Sequence, residues 1–317
     1  MNLASLIMLL ASGAPAQAAP APEADLRVEW TAPSSFLAGQ TYEVHVEITV
    51  PPEGADVPAW LLSPAAFSVD GEPLFAREAD TGVPLAPGAR LALDYDLGPF
   101  LDPEGSFELS YGAGLLDQEP LAVRHYQGAP AGLSFVEMSV EKLKRYQLLL
   151  STNQGDIVIT PWPDRAPGHV RNYLDLAYTG FYDGVVFHRV IPGFMIQGGD
   201  PTGTGQGNGP RQLKAEFTDA KHVRGVVSAA RLGHDVNSAS CQFFIVHNTS
   251  SHLDGSYSAF GKVVSGMDAV DRIAAAPQDP RTNRPRSPQT ILKAAVILAP
   301  AEDAGEQPDE QGADQGE

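Results

Sequence analysis

The 317-residue chain has one cysteine, Cys241. A lone thiol cannot close a disulfide within the chain, and it excludes a zinc site built from several thiolates. Stability must therefore come from packed cores. Long hydrophobic runs are also missing. No internal stretch reaches the roughly 20 apolar residues of a membrane-spanning helix, so no membrane span is expected. Bases are few: 21 Lys and Arg against 39 Asp and Glu give a net charge of −18, which argues against nucleic acid as a main partner. The 8 histidines show no H-E-x-x-H or other paired spacing, so no metal is expected. The glycine-rich GTGQGNG at 203–209 has neither dinucleotide-turn nor phosphate-loop spacing. It reads as a flexible surface loop, and no cofactor is expected. Cys241 with His247 or His252 would offer a nucleophile and a base. However, Cys241 precedes QFFIV, a buried-strand pattern, where cysteine serves as a small hydrophobe.

What the chain does contain is unevenly distributed. Residues 19–128 carry 18 acids and 4 bases, residues 129–300 carry 14 and 17, and the last 17 residues add 7 acids and no base. The acidity thus belongs to one domain and a tail, and reads as a solvated surface. An apolar run at 3–10 leads to Ala16-Gln17-Ala18, the pattern of a secretory signal over residues 1–18, which predicts an exported, periplasmic or secreted protein. Clean period-two alternation follows in TYEVHVEITV, RLALDYDL and SFELSY, separated by Pro- and Gly-rich turns. It predicts strands with one wet face, and an acidic immunoglobulin-like β-sandwich over 19–128. Small residues in YQGAPAGLS mark a boundary, with a linker over 129–145.

Residues 146–300 read as a second, mainly β domain with two helices, and 301–317 as an acidic disordered tail. The first helix, within 166–180, has Val170, Leu174 and Ala177 at helical spacing and Gly180 at its end. The second, within 265–277, has Ser265 and Asp268 as a capping pair and stops at Pro277.

Between the helices, GVVFHRVIPGFMIQGGDPTGTG sets Arg189 among Val186, Phe187, Val190, Ile191, Phe194, Met195 and Ile196. No acid lies closer in the chain than Asp183 and Asp200. The pattern alone leaves two readings, an ion pair with a distant acid or a cation kept for function. The wider motifs FYDGVVFHRVIPGFMIQGGDPTGTG, GVVSAAR, NSASCQFFIVH and HLDGSYSAFGKVVSGMDAV, in this order, resemble the cyclophilin family of peptidyl-prolyl cis-trans isomerases. They look most like its bacterial, exported members, over about residues 146–298. The resemblance implies a closed eight-stranded antiparallel barrel with a helix over each end. It also implies a groove for proline-containing unfolded or flexible polypeptides, a role in protein folding, and no cofactor.

Carried over residue by residue, the resemblance makes Arg189 the catalytic arginine. Phe194, Met195 and Leu253 become walls of a proline pocket, Phe244 its floor, and Gln197 a contact to the substrate backbone. Ala230 and Arg231 match contacts to the residue before proline, Gln242 a polar contact and Gly203 a loop contact. His252 and Tyr257 stand where many relatives carry Trp and His. The Trp is a cyclosporin contact in the family, so His252 weakens the expectation of cyclosporin sensitivity. Phe187, His188 and Phe243 read as strand support. A monomer is expected. A second reading keeps the groove but not the turnover: a scaffold that binds proline segments while the N-terminal domain recruits partners.

Overall fold

A strand with every second side chain apolar can bury one face, and the segments with that pattern do so here. The computed structural model describes residues 26–33, 35–37, 41–77, 82–101, 105–113 and 115–300. The signal at 1–18 and the tail at 301–317 lie outside the described residues. The chain divides into two compact units.

In the first unit, Glu43–Thr49 is the middle strand of a three-stranded antiparallel sheet, flanked by Arg27–Thr31 and Arg90–Asp96. Val44, Val46 and Ile48 are buried, while Glu43 and Glu47 face water. Ala55–Pro58 pairs with Gly82–Leu85, and Phe67–Val69 pairs with Glu72–Pro73 and Phe107–Tyr111. Phe67 meets Tyr95 and Tyr111 edge-on at 5.3 and 5.1 Å. The β character is as expected. These ladders do not by themselves compose the two packed sheets of an immunoglobulin-like sandwich.

The second unit holds eight strands: β1 (Tyr146–Thr152), β2 (Gly155–Pro161), β3 (Arg189–Ile191), β4 (Met195–Gly198), β5 (Val226–Ala229), β6 (Phe243–Val246), β7 (Ala259–Ser265) and β8 (Ile291–Leu298). They form one antiparallel sheet in the order β3-β4-β6-β5-β7-β2-β1-β8. Eight antiparallel strands were expected, but the ladder closure was not reproduced. β3 and β8 share no ladder. The chain just before β3 meets the start of β8 through a bridge between Val186 and Thr290, with Gly184 N–H donating to Ile291 O at 2.8 Å. The reason lies at β3 itself, which spans three residues, and its Val190 N–H is taken by Asn283 O at 2.8 Å. The sheet is a curled half-barrel.

Two longer helices pack on it, α1 (Pro167–Tyr178) and α2 (Met267–Ala275), besides a single turn at Val140–Leu143. Pro167 starts α1, where a missing N–H costs nothing. The capping pair expected for α2 does not form. Gly266 occupies the cap position at φ 91°, and a Cβ there would collide with the Asp156 carbonyl. The Ser265 hydroxyl instead accepts from Arg124 Nη1 at 2.7 Å. The inner core takes Val170, Tyr173 and Leu174 from α1, Val270 and Ile273 from α2, and inward residues of the strands. Phe135 and Leu143, from the expected linker, are wholly buried in the same core.

Candidate active site

Strand pairing decides which side chains share the outer face. Arg189 lies opposite Gln197, Gln197 opposite Phe244, and Phe244 opposite Ser228. The next row, Val190, Ile196, Ile245 and Val227, belongs to the inner core. Successive residues of a strand point to opposite sides, so the Arg189 row points outward. Ile191, Met195 and Val246 follow on that outer face. Met195, Phe244, Val246 and Leu253 form an apolar cluster apart from the inner core, and Phe194, Ala230, Tyr257 and Trp162 pack at its edge.

Arg189 is half-buried. Its Nη1 donates to Gln197 Oε1 at 3.3 Å, and among the described residues no carboxylate pairs with it. Among the described residues the distant ion pair left open by the sequence is therefore not made. Gln197 Nε2 donates in turn to Gln242 Oε1 at 3.1 Å. Gln242 Nε2 donates to Gly205 O and Gly207 O at 3.2 and 2.8 Å. These bonds fix both amides: Gln242 spends its donors on the loop, and Gln197 turns its oxygen to the guanidinium. Neighbouring His188 is buried. Burial lowers its pKa, with Asp200 opposing and the Arg284 and Arg189 cations reinforcing, so it is neutral at pH 7 and adds no second charge.

The glycine loop is an ordered cage rather than the free surface loop expected. Asp200, with no exposed surface, accepts from Thr202 N and Oγ1 at 2.7 and 2.8 Å and from the amides of Gly205 and Gly207. A Cβ on Gly207 would strike this carboxylate. The Gly203 carbonyl is held by Arg284 Nη1 at 2.8 Å. Gly205 and Gly207 supply the loop carbonyls that reach Gln242. Beside the cluster lies a polar cleft of about 500 Å³ sharing Gln197, Ala230, Arg231 and Gln242 with the predicted set, and adding Asn208, Arg211 and Ser240.

Phe244 is clamped from two sides. Tyr257 meets Phe244 edge-on at 5.5 Å, and His222 stacks on it at 6.2 Å. His222 Nε2 lies 2.9 Å from Ser228 Oγ and Nδ1 lies 3.1 Å from Asp254 Oδ1. This is the order of a serine-hydrolase triad. Ser228 and His222 are sealed at 0% and 1% exposure, however, so no substrate carbonyl reaches the hydroxyl. Through the His222 ring the trio packs against Phe244. His252 lies 5.3 Å from Phe194, and the Arg231 guanidinium sits 4.7 Å over the Tyr257 ring while donating to Ser256 O. These contacts and strand pairings link the predicted site residues other than Gly203, whose carbonyl is bonded to Arg284.

Cys241 takes no part. It is wholly buried, and burial pushes its thiol up to about 11. Iodoacetamide at about pH 8 should leave the native chain unlabelled and modify it in denaturant; rapid labelling of native protein would contradict this placement. Asp200, His222, Ser228 and Asp254 were not found from sequence. His222 and Asp254 are 32 residues apart, and only the Asp-x-Thr start of the loop carried a local signal, that of a side chain bonding its own backbone.

The site is an outward-facing apolar cluster beside a guanidinium that no carboxylate pairs among the described residues, and a row of amides. Residues 147–296 match the family model for cyclophilin type peptidyl-prolyl cis-trans isomerase/CLD. A rat peptidyl-prolyl cis-trans isomerase-like 3 is 43% identical over 141 residues, covering 43% of this chain and 86% of the relative. A probable peptidyl-prolyl cis-trans isomerase of Brucella abortus is 38% identical over 190 residues, 54% of this chain and 95% of the relative. A peptidyl-prolyl cis-trans isomerase-like 2 of Rhizopus delemar is 41% identical over 168 residues, which span 31% of that longer protein. A Cryptosporidium parvum cyclophilin solved in the presence of the dipeptide Ala-Pro is 31% identical, with a TM-score of 0.46, covering 49% of this chain and 99% of that one. The chain belongs to the cyclophilin-type peptidyl-prolyl cis-trans isomerase family.

Proposed function

We propose that the chain accelerates cis–trans isomerisation of X-Pro bonds in unfolded or flexible polypeptides, with Arg189 as the group that stabilises the transition state. The observation that carries this reading is the Arg189 guanidinium, paired with no carboxylate among the described residues and set beside the cluster of Met195, Phe244 and Leu253. Amide resonance gives the bond a rotational barrier of about 18–20 kcal/mol. Nothing is cleaved, so neither nucleophile nor metal is needed. At the top of the barrier the amide is twisted, and the prolyl nitrogen regains a lone pair that the planar form lacks. A donor aimed there binds the transition state better than either ground state. Arginine suits the role because it stays charged and holds its donors in a rigid fork. The apolar surround strengthens that bond.

Phe194, Met195, Phe244 and Leu253 hold the proline ring while the preceding carbonyl swings. Gln197, Gln242 and the Ala230–Arg231 backbone line the path of the residues before it. The exported setting rests on the segment at 1–18 alone. The test is the full chain with an X-Pro peptide, its cis–trans exchange followed by exchange spectroscopy. Catalytic amounts should speed exchange. Binding without acceleration would overturn the reading and favour a peptide-binding scaffold.

A further inference from the structure

The walls of the pocket are set by different devices, and Phe194 depends on one histidine. Phe194 sits in the turn between β3 and β4, closed by its own N–H donating to Ile191 O at 3.0 Å, with Gly193 at φ 75°. A two-residue Pro-Gly turn at the edge of a sheet has few bonds of its own. His247, at the end of β6, supplies two more. Its backbone N–H donates to Phe194 O at 2.9 Å, and its Nδ1 accepts from Gly193 N–H at 2.9 Å. A backbone amide can only donate, so Nδ1 is unprotonated and the ring proton sits on Nε2. That nitrogen donates to Asp271 Oδ1, from α2, at 3.1 Å. Arg224 completes the brace, with Nη2 donating to Asp271 Oδ2 at 2.8 Å and Nη1 to His247 O at 3.1 Å.

We infer that His247 is a positioning residue of the proline pocket: its neutral ring, oriented by Asp271, pins the Gly193 amide and so holds Phe194 against the cluster. The inference rests on the isomerase reading of the same groove. Its chemistry is sign-specific. A side chain with no acceptor at the Nδ1 position leaves the Gly193 N–H unpaired, and the turn loses its pin. Arg224 and His247 hold the Asp271 carboxyl below its usual range, so it stays the acceptor that orients the ring. Removing the Nδ1 acceptor should therefore weaken proline-peptide binding through Phe194 while Arg189 keeps its place.

The test uses the full chain labelled at glycine, an X-Pro peptide and three proteins: wild type, His247→Asn and His247→Leu. Asparagine offers an acceptor near the Nδ1 position; leucine offers none. The Gly193 amide resonance should move little in His247→Asn and clearly in His247→Leu. His247→Leu should bind about fivefold more weakly. His247→Asn should keep most of the affinity. A Gly193 resonance that stays in place in His247→Leu overturns the inference. So does a leucine variant that binds like wild type, or an asparagine variant as weak as the leucine one. A lowered melting temperature with unchanged affinity likewise overturns it. Failure of the isomerase reading is separable, because peptide that binds without faster exchange leaves the affinities and the Gly193 resonance shifts intact.

Discussion

Replacing Arg189 by alanine should remove most of the isomerase activity, roughly a hundredfold to a thousandfold in kcat/KM, while the fold stays intact. A thousandfold corresponds to about 4 kcal/mol of transition-state stabilisation, the scale on which one well-aimed, charge-assisted hydrogen bond and its positioning act. The fold should survive because the side chain makes one hydrogen bond, to Gln197, and no ion pair with a described residue. Lysine at the same place keeps the charge but not the fork, so Arg189→Lys should fall between the two. Circular dichroism and melting curves alongside the kinetics check the distinction. An alanine variant with wild-type turnover would remove the mechanism.

Asp200→Asn should lower both stability and activity. Burial alone would raise the Asp200 pKa, but the Thr202 hydroxyl and the amides of Gly207, Thr202 and Gly205 outweigh it and hold it at about 2. A carboxyl lowered in the folded state stabilises above its unfolded value near 3.8, and that stability is lost as pH falls through about 2. At neutral pH the difference amounts to about 2 kcal/mol. Asparagine forfeits this term and turns an NH2 group toward amides that can only donate, so a loss of about 2–4 kcal/mol is expected. Activity should fall as well, because the loop carbonyls that Asp200 holds in place orient Gln242, and through Gln197 the guanidinium. Acid titration of the melting temperature tests the first part: the wild-type advantage over the variant should shrink below about pH 4. A constant difference down to about pH 2 would contradict it.

What could be read in the sequence was whatever a strand repeats every second residue, together with motifs whose spacing is rigid. The alternation in TYEVHVEITV and the separation of Met195 from Ile196 onto two faces follow from the pleat alone. Arg189 drew notice because no acid stands near it in the chain, and it pairs with no carboxylate among the described residues. Interactions that close over long separations were not legible. Ser228, His222 and Asp254 converge only once β5, β6 and the turn at Ser251–Leu253 are in place. Phe135 and Leu143 looked like isolated apolar residues in a spacer because their partners lie in other elements of the unit. Closure between β3 and β8 was inherited from the family resemblance. Asn283, at the positive φ of 57°, instead caps the edge of β3.

The central claim is that Arg189 acts on the twisted amide and not on the bound peptide. Titrating an X-Pro peptide into wild type and Arg189→Ala, and extracting both affinity and the on-protein interconversion rate from exchange line shapes, separates the two. Affinity should change by no more than about threefold while the interconversion rate falls by at least about a hundredfold. Equal losses in affinity and rate, or a rate that survives the substitution, would mean that Arg189 only helps to hold the peptide.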